Sequence, residues 1–477
     1  MKNLKKIVDE LAVIVGPESV LTEGDALSRY RVDEVAPKAV VLPRDTNQVS
    51  QVVQVAKRED LALVPWGSGT KMAMGNPPKR LDLVVCTSRM NHIKDVDTAN
   101  LTITAEAGVK FRDIQARLAT QEDRCYLPLE DLVTAGDEAI CSDRSHSGCF
   151  LPIDPPHANA ATIGGIVSAN TAGARRLLYR LPRDSVLGVR FVTSGGEICG
   201  SGGKTVKNVS GYDVPKLVVG SMGSLGILCE MTFKLLPLPE ALETVLIAFG
   251  TFSDASAFVE QISETSLLPA SLDLLSQSAY SRVADGVFKF EPDAYVAALA
   301  LEGFGQAVRR MSAEIPRLAV ASGARSHAVL REGQHRSFWL AVSDRLPAQD
   351  FGPLKAKLNY PLSEWKGIVE SAEGVLSGAR IDYTLQVHAG SGVCLINLLI
   401  GQGEGGAADK AVGALNDLLS LCREVKGNLV IQQAPTPIKG RLKVWGEAGS
   451  DFAVMKRIKM HIDPAGIMSP GRFVGGL

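Results

Sequence analysis

The sequence lacks any run approaching the ~18 consecutive apolar residues that a membrane-spanning helix requires, so direct membrane insertion is not expected. An excess of charge of one sign is missing too. Lys and Arg total 51 against 52 Asp and Glu, a formal net charge of −1, which gives no electrostatic reason to expect nucleic acid or an anionic membrane as partner. Cysteine pairing signals are absent. The eight cysteines, at 86, 125, 141, 149, 199, 229, 394 and 422, include no Cys-x-x-Cys. With no secretory context, they read as reduced thiols in a cytoplasmic chain, most of them buried as small hydrophobes. The start Met1-Lys2-Asn3-Leu4-Lys5-Lys6 is basic, but the apolar stretch Leu11 to Val15 is too short for a signal-peptide core. Leu4, Val8 and Leu11 instead have the spacing of a surface helix. Internal repeats and low-complexity tracts are also missing.

What is present is enough apolar material for a large enzyme: 477 residues, 45% hydrophobic, suit about two to three domains with substantial cores. Two glycine-bearing stretches carry most of the information. Pro65-Trp66-Gly67-Ser68-Gly69-Thr70-Lys71 follows an apolar run, Leu61 to Val64. By itself it is either an ordinary glycine turn or a loop whose backbone N–H groups approach a phosphate closely. The next clear element is a strand-like run, Leu81 to Cys86, rather than a helix. That argues against the Rossmann arrangement, whose glycine loop opens directly onto a helix. The second stretch runs from Asp154-Pro155 through Thr162-Ile163-Gly164-Gly165 to Ala169. Lys204-Thr205-Val206-Lys207, Gly211-Tyr212-Asp213 and Gly220-Ser221-Met222-Gly223-Ser224-Leu225-Gly226-Ile227 follow it.

With these ordered motifs the chain resembles the FAD-binding proteins of the vanillyl-alcohol oxidase and p-cresol methylhydroxylase type, in particular the FAD-linked subunits of glycolate oxidase and the D-lactate dehydrogenases. The resemblance extends from Tyr30 to the terminal Ile462-Asp463-Pro464-Ala465-Gly466-Ile467-Met468-Ser469-Pro470-Gly471-Arg472. It implies an α+β fold: a two-subdomain FAD-binding domain over residues 1–239, an α+β, ferredoxin-like cap over 240–435, and a segment 436–477 returning to the first domain. An insertion at about 121–150 carries Cys125, Cys141, His146 and Cys149, either a metal or iron–sulfur site of unusual spacing or a surface loop packed on a partner.

Periodicity supplies the elements. Val40 to Pro43 and Leu61 to Val64 read as strands around a helix with Val49, Val52, Val53 and Ala56 on one face. Leu101 to Ala107 is a further strand, and Phe111, Ile114 and Leu118 line the helix after it. The pair Pro237 and Pro239 marks a boundary. Beyond it strands are expected at Thr244 to Phe249, Leu272 to Leu275, Tyr295 to Leu301, Val393 to Ile400 and Leu429 to Gln432. Helices are expected over Ala255 to Ile262, around Ala307 to Ile315, and over Ala407 to Cys422.

The resemblance further implies that Pro65, Trp66, Gly67, Ser68, Gly69, Thr70 and Lys71 cradle the FAD pyrophosphate. Pro155, Thr162, Ile163, Gly164, Gly165 and Ala169 would line the other side, and Gly223, Gly226 and Ile227 would close on the nucleotide or ring. The alternative for Gly223 and Gly226 is a plain turn before the strand Ile227 to Phe233. Some members attach the flavin covalently through a histidine of the first loop, but Pro65 to Gly75 contains neither histidine nor cysteine, so non-covalent FAD is expected.

Members of this type that oxidise D-2-hydroxy acids carry His-x-Gly-Asp-Gly-Asn-x-His and a later Glu-His-Gly, which hold a divalent metal. Here the corresponding stretches are His388-Ala389-Gly390-Ser391-Gly392-Val393-Cys394-Leu395 and Gln432-Gln433-Ala434-Pro435. One histidine remains, and amides are poor transition-metal ligands, so no metal is expected. His388 is either a structural histidine or the base that takes the hydroxyl proton as hydride leaves for flavin N5. Arg380, with Lys355 and Lys357, is a candidate to pair the substrate carboxylate. The expected activity is oxidation of a small 2-hydroxy acid of the glycolate or D-lactate type. The chain would act within a complex with an iron–sulfur subunit and a second flavoprotein subunit, reaching the membrane only through a partner. The alternative is an accessory FAD-binding subunit without catalysis.

Overall fold

The computed structural model describes residues 4–121, 124–125, 148–205, 211–284, 290–291, 293–346, 354–400 and 406–477. In the first lobe, α1 (Leu4–Val15) leads to a sheet of β1 (Val20–Leu21), β2 (Ala39–Val41), β3 (Leu63–Trp66) and β4 (Leu83–Cys86), ordered β1-β2-β4-β3. Helix α2 (Thr46–Arg58) joins β2 to β3. Its first turn is capped by Asp45, whose side chain accepts from the Gln48 N–H at 2.9 Å, satisfying one of the donors a helix start leaves open. Val49, Val52, Val53 and Ala56 are all buried, at the spacing the sequence predicts. In α1 the buried face is Ile7, Leu11 and Val15 rather than Leu4, Val8 and Leu11, because the helix packs against α2 on that side.

Strand β3 continues through Pro65 to Trp66, past the expected end at Val64. Pro65 is tolerated because β3 is the last strand of the sheet, where its missing N–H breaks no ladder bond. The C-terminal segment joins β3 at one point: Leu63 N–H donates to Ile467 O at 2.7 Å and Ser469 N–H to Leu63 O at 2.8 Å.

The second lobe is an antiparallel sheet of β5 (Ile93–Asp97), β6 (Thr102–Glu106), β7 (Val186–Val192), β8 (Ile198–Gly202) and β9 (Ile227–Lys234), ordered β8-β7-β9-β6-β5. Helices α3 (Phe111–Ala119) and α4 (Ile163–Ala169) bury Phe111, Ile114, Leu118, Ile163, Ile166 and Val167 in its core. Cys149 is buried in that core; Cys141 and His146 lie outside the described residues, as does the Cys125 side chain.

The cap is one eight-stranded antiparallel sheet. Its strands are β10 (Ala241–Phe249), β11 (Ser271–Leu275), β12 (Tyr295–Gly303), β13 (Ser326–Arg331), β14 (Leu354–Asn359), β15 (Asp382–His388), β16 (Val393–Leu399) and β17 (Asn428–Gln433). The order β13-β10-β12-β11-β15-β16-β14-β17 divides into two ferredoxin-like halves, each built strand, helix, strand, strand, helix, strand. A repeat therefore exists at the level of topology, although none is visible in the sequence. The halves meet where β11 pairs with β15, Asp273 opposite His388. The helices α5 (Phe252–Ser263), α6 (Gly305–Ala321), α7 (Trp365–Gly378) and α8 (Ala407–Glu424) cover one face and bury Leu272, Leu274, Leu385, Val387, Ala356 and Leu358. By the two-residue pleat, Asp273, Gln386, His388, Lys355 and Lys357 point to the other face, which looks toward the first two lobes.

Candidate functional site

Two hollows meet between the lobes and the cap. A groove of about 700 Å³ runs between the loop Trp66 to Met72 and the start of α4, with Met222, Gly223, Gly226, Ile227 and Arg472 along its floor and side. A wider cleft of about 1330 Å³ lies under the cap sheet. Thr70, Lys71 and Ala169 line both, so the cleft opens into the groove.

The groove is a backbone site. Gly69 has φ 82°, Gly223 φ 71° and Gly226 φ 150°, values that favour glycine. Space constrains these residues as well. A Cβ on Gly69 would meet the Trp66 ring at 2.7 Å, and one on Gly164 would meet Ala107 Cβ at 2.8 Å. Gly164 therefore lets α4 pack on the end of β6, whereas a Cβ on Gly165 would touch only Thr162 Oγ1, at 3.3 Å, and would stand toward the groove. Thr162 caps α4, its hydroxyl accepting from Gly165 N–H. Thr162, Ile163 and Pro155 are buried behind the wall and do not line either hollow. Ile163 N–H and Gly164 N–H are occupied by Val109 O and Ala107 O, each at 2.9 Å. The first loop does offer open amides: among the described residues Ser68, Gly69 and Thr70 N–H donate to no protein acceptor.

Beside Lys71, the groove carries a buried charged group, Arg472. It is 2% exposed; its Nη2 donates to Met72 O at 3.0 Å and Met74 O at 2.7 Å, and its Nη1 is buried without an acceptor. Desolvation brings its pKa down to about 10, against the opposing pull of Asp33. An orphaned guanidinium nitrogen, open loop amides and a glycine-lined floor together fit a dinucleotide carrying a pyrophosphate.

The cleft is a side-chain site. His388 is 2% exposed and its Nδ1 lies 2.8 Å from Asp273 Oδ1; Gln386 Nε2 donates to Asp273 Oδ2 at 2.7 Å. Asp273 is completely buried and both its oxygens are engaged, so its carboxylate orients the imidazole and leaves Nε2 to the cleft. His388 is thus both hydrogen-bonded within the sheet and part of the cleft wall.

Opposite stands the turn that carries Arg175 and Arg176. Asp154 accepts from Gly173 N–H at 2.9 Å and Arg175 N–H at 2.7 Å, and its carboxyl is pushed up by desolvation against the pull of Arg175. The Arg175 side chain is buried against Glu302, Nε to Oε1 2.5 Å, and Tyr179 donates to the other Glu302 oxygen. These contacts clamp the turn to β12 and leave Arg176, steadied by Ala172 O and Gly173 O, facing the cleft. Lys357 and Lys355, two residues apart on β14, complete the cationic wall. Desolvation, with Arg176 nearby, brings Lys357 down to about 8, and desolvation lowers Lys355 and Arg176 as well.

Arg380 does not belong here. It is exposed in the turn before β15, and the seven-residue strand puts it about 20 Å from His388; Arg176 faces the cleft instead. Leu395, Gln432 and Gln433 do line the cleft. Among the described residues no three His, Cys, Asp or Glu side chains come together as a metal site, and no helix is long and apolar enough to cross a membrane. Asp273, Gln386 and Arg176 were not anticipated. Asp273 had a signal, a lone carboxylate inside the apolar run Ser271 to Leu275, which burial requires to be paired; Arg176 had none.

Comparison with known proteins bears on the family and the fold. The FAD binding domain family matches residues 37–130 and 143–201, and the C-terminal domain of FAD linked oxidases matches residues 238–473. Glycolate oxidase subunit GlcD of Bacillus subtilis is 26% identical, covering 98% of this chain and 96% of its own length. D-2-hydroxyglutarate dehydrogenase of Stutzerimonas stutzeri is 24% identical over 98% of each chain. D-lactate dehydrogenase of Archaeoglobus fulgidus is 30% identical over 57% of this chain and 56% of its own. In fold, p-cresol methylhydroxylase with substrate bound superposes with a TM-score of 0.72 at 16% identity, covering 98% of this chain and 96% of that one.

Proposed function

The chain belongs to the FAD-linked oxidoreductases, with FAD as its cofactor, and from that premise we propose that it oxidises a small 2-hydroxy acid to the 2-oxo acid. The observation that carries the proposal is the His388–Asp273 pair on the wall of a cleft that opens into the dinucleotide groove. Asp273 holds Nδ1 as the donor, so Nε2 is the acceptor for the proton of the substrate hydroxyl. Arg176 faces the same space and pairs the carboxylate beside that hydroxyl. FAD, when bound, supplies the acceptor for the electron pair and hydrogen that leave C2. Ser68, Gly69, Thr70 and Arg472 hold its phosphates, without a covalent link to the loop.

The relatives named as subunits of glycolate oxidase support a complex in which an iron–sulfur subunit takes the electrons, with a second flavoprotein subunit beside it. A cytoplasmic location follows from that reading. The test is anaerobic mixing of the purified, FAD-loaded chain with glycolate, D-lactate and D-2-hydroxyglutarate. Bleaching of the flavin absorbance by at least one acid is expected; a flavin that none of them reduces overturns catalysis by this chain. In that event the second reading, an accessory FAD-binding subunit serving assembly or electron relay, takes over. It draws on Leu395, Gln432 and Gln433 standing where the resembled enzymes carry metal ligands.

A further inference from the structure

We propose that Lys459, buried behind the floor of the groove, is a positioning residue for FAD: it draws the Ser224 carbonyl away from the groove and so presents the floor's open N–H groups to the cofactor. The proposal rests on the reading of the groove as the FAD site and adds what gives its floor that shape.

The observation is an arrangement repeated in the segment that follows the cap sheet. Lys439, Lys459 and Arg472 are all buried there, and each donates to main-chain carbonyls at the edge of the groove. Lys439 takes Ala73 O, between the Met72 and Met74 carbonyls held by Arg472. Lys459, on α9 (Phe452–Ile462), gives its Nζ to Ser224 O and Met468 O, each at 2.7 Å, and to Asp463 Oδ2 at 2.6 Å. An ammonium has three N–H donors, so all of them are committed.

The effect of Lys459 is on the backbone. In a trans peptide the C=O and the next N–H point in opposite directions, so holding Ser224 O turns the Leu225 N–H away from the ammonium. Gly223 and Leu225 N–H donate to no protein acceptor among the described residues. Met222, Gly223, Gly226 and Ile227 line the groove, whereas Lys459 stands outside it. The same Nζ also fixes the floor against the first loop. Its second carbonyl, Met468 O, precedes Ser469, whose N–H donates to Leu63 O at 2.8 Å on β3, the strand from which that loop springs. Burying an ammonium opposes folding unless each donor is bonded; a methionine fills similar space without that penalty, and what the ammonium alone adds is the direction of the carbonyls.

The experiment follows amide hydrogen exchange of the full chain with and without FAD, alongside FAD affinity by fluorescence titration. In the wild type, FAD is expected to slow exchange in peptides covering residues 66–72 and 221–228. Lys459→Met should weaken FAD binding at least tenfold and lose more than half of the protection at 221–228, and Lys459→Arg should recover part of both. Phe258→Leu, in the cap core away from the groove, serves as a control for lost stability; it should keep FAD affinity within twofold. Wild-type affinity and protection in Lys459→Met overturn the proposal, and so does a tenfold loss in Phe258→Leu, which would make the effect one of stability alone. Should Lys459→Met fail to fold, the wild type still decides: protection at 66–72 without protection at 221–228 overturns the proposal while keeping the groove, and protection at neither removes the groove as the FAD site and the proposal with it.

Discussion

The groove and the cleft adjoin, yet they are made of different material. The groove presents main-chain amides and few side chains, in loops at the ends of β3, β4 and β9. Of its two charged residues, Lys71 belongs to the first loop and Arg472 to the C-terminal segment. The cleft presents polar and charged side chains on β14 and β15, on one face of a sheet assembled from strands over a hundred residues apart. A backbone site tolerates almost no change at its glycines and any change in the side chains around it that keeps the turn. A sheet-face site can be rewritten one side chain at a time without disturbing the fold, because each position alternates between a helix-packed face and an open one. Cofactor and substrate specificity can therefore vary independently in this architecture.

The sharpest way to break the comparison is a glycine pair in the groove. Gly165→Val places its side chain into the groove with little to collide with, so the protein should fold and yet lose nearly all bound FAD, read as the 450 to 280 nm absorbance ratio. Gly164→Val should instead damage the packing of α4 on Ala107 and reduce soluble, folded protein. Full FAD occupancy in folded Gly165→Val would show that the groove is not the dinucleotide site. Gly69→Val is also expected to empty the groove, through its φ of 82° and the Trp66 ring rather than through contact with a phosphate.

Next in size is the cleft's base. His388→Gln should retain FAD and lose about 10²–10⁴-fold in kcat. Asp273→Asn should lose part of this by releasing the imidazole, with a stability cost of about 1–3 kcal/mol for the buried partners left unmatched. Wild-type turnover in His388→Gln would remove the histidine from the chemistry.

A smaller effect follows from Lys357. In the ligand-free protein it loses its proton as pH rises through about 8, so affinity for an acid in the cleft should decline above that pH by up to tenfold per unit while FAD affinity stays level. The groups around it are Arg176 across the cleft, Lys355 on the same strand, Gln433 on β17, and His388 with Asp273 beyond β16. The sign for stability is opposite. A lysine whose folded pKa lies below its unfolded value binds fewer protons when folded, so the free protein should gain stability between about pH 8 and the ordinary lysine range. Titration of Tm against pH in Lys357→Met, which should lack that gain, checks it. Least of all, Arg380→Ala should change kcat/KM by less than about twofold, as expected of an exposed residue with no place in the cleft.

How much was legible in advance follows the same division. The first loop announced itself because Gly67, Gly69 and their neighbours are contiguous, and the helix face Val49, Val52, Val53, Ala56 because its period is local. His388 was identified, although its partner was not: Asp273 lies 115 residues away and is joined to it only by the pairing of β11 with β15. Arg380 was named as a cap-domain cation and Arg176 was not considered, because nothing in a one-dimensional pattern says which end of a strand faces a cleft. Likewise Pro155, Thr162 and Ile163 carry the motif without lining the groove, since motif residues include those that shape a turn as well as those that touch a ligand.

By itself, then, the sequence determined what local rules can determine: a loop of closely spaced glycines at the end of a strand, and the periods of helices and strands. The tertiary structure alone decided which charges confront one another. It brought Arg176, Lys357 and the His388–Asp273 pair around one space by folding two ferredoxin-like halves edge to edge and docking them on the dinucleotide lobes. The physical reason is that backbone conformation depends on near neighbours, whereas the cost and use of a buried charge depend on whatever the whole chain places within a few ångströms of it.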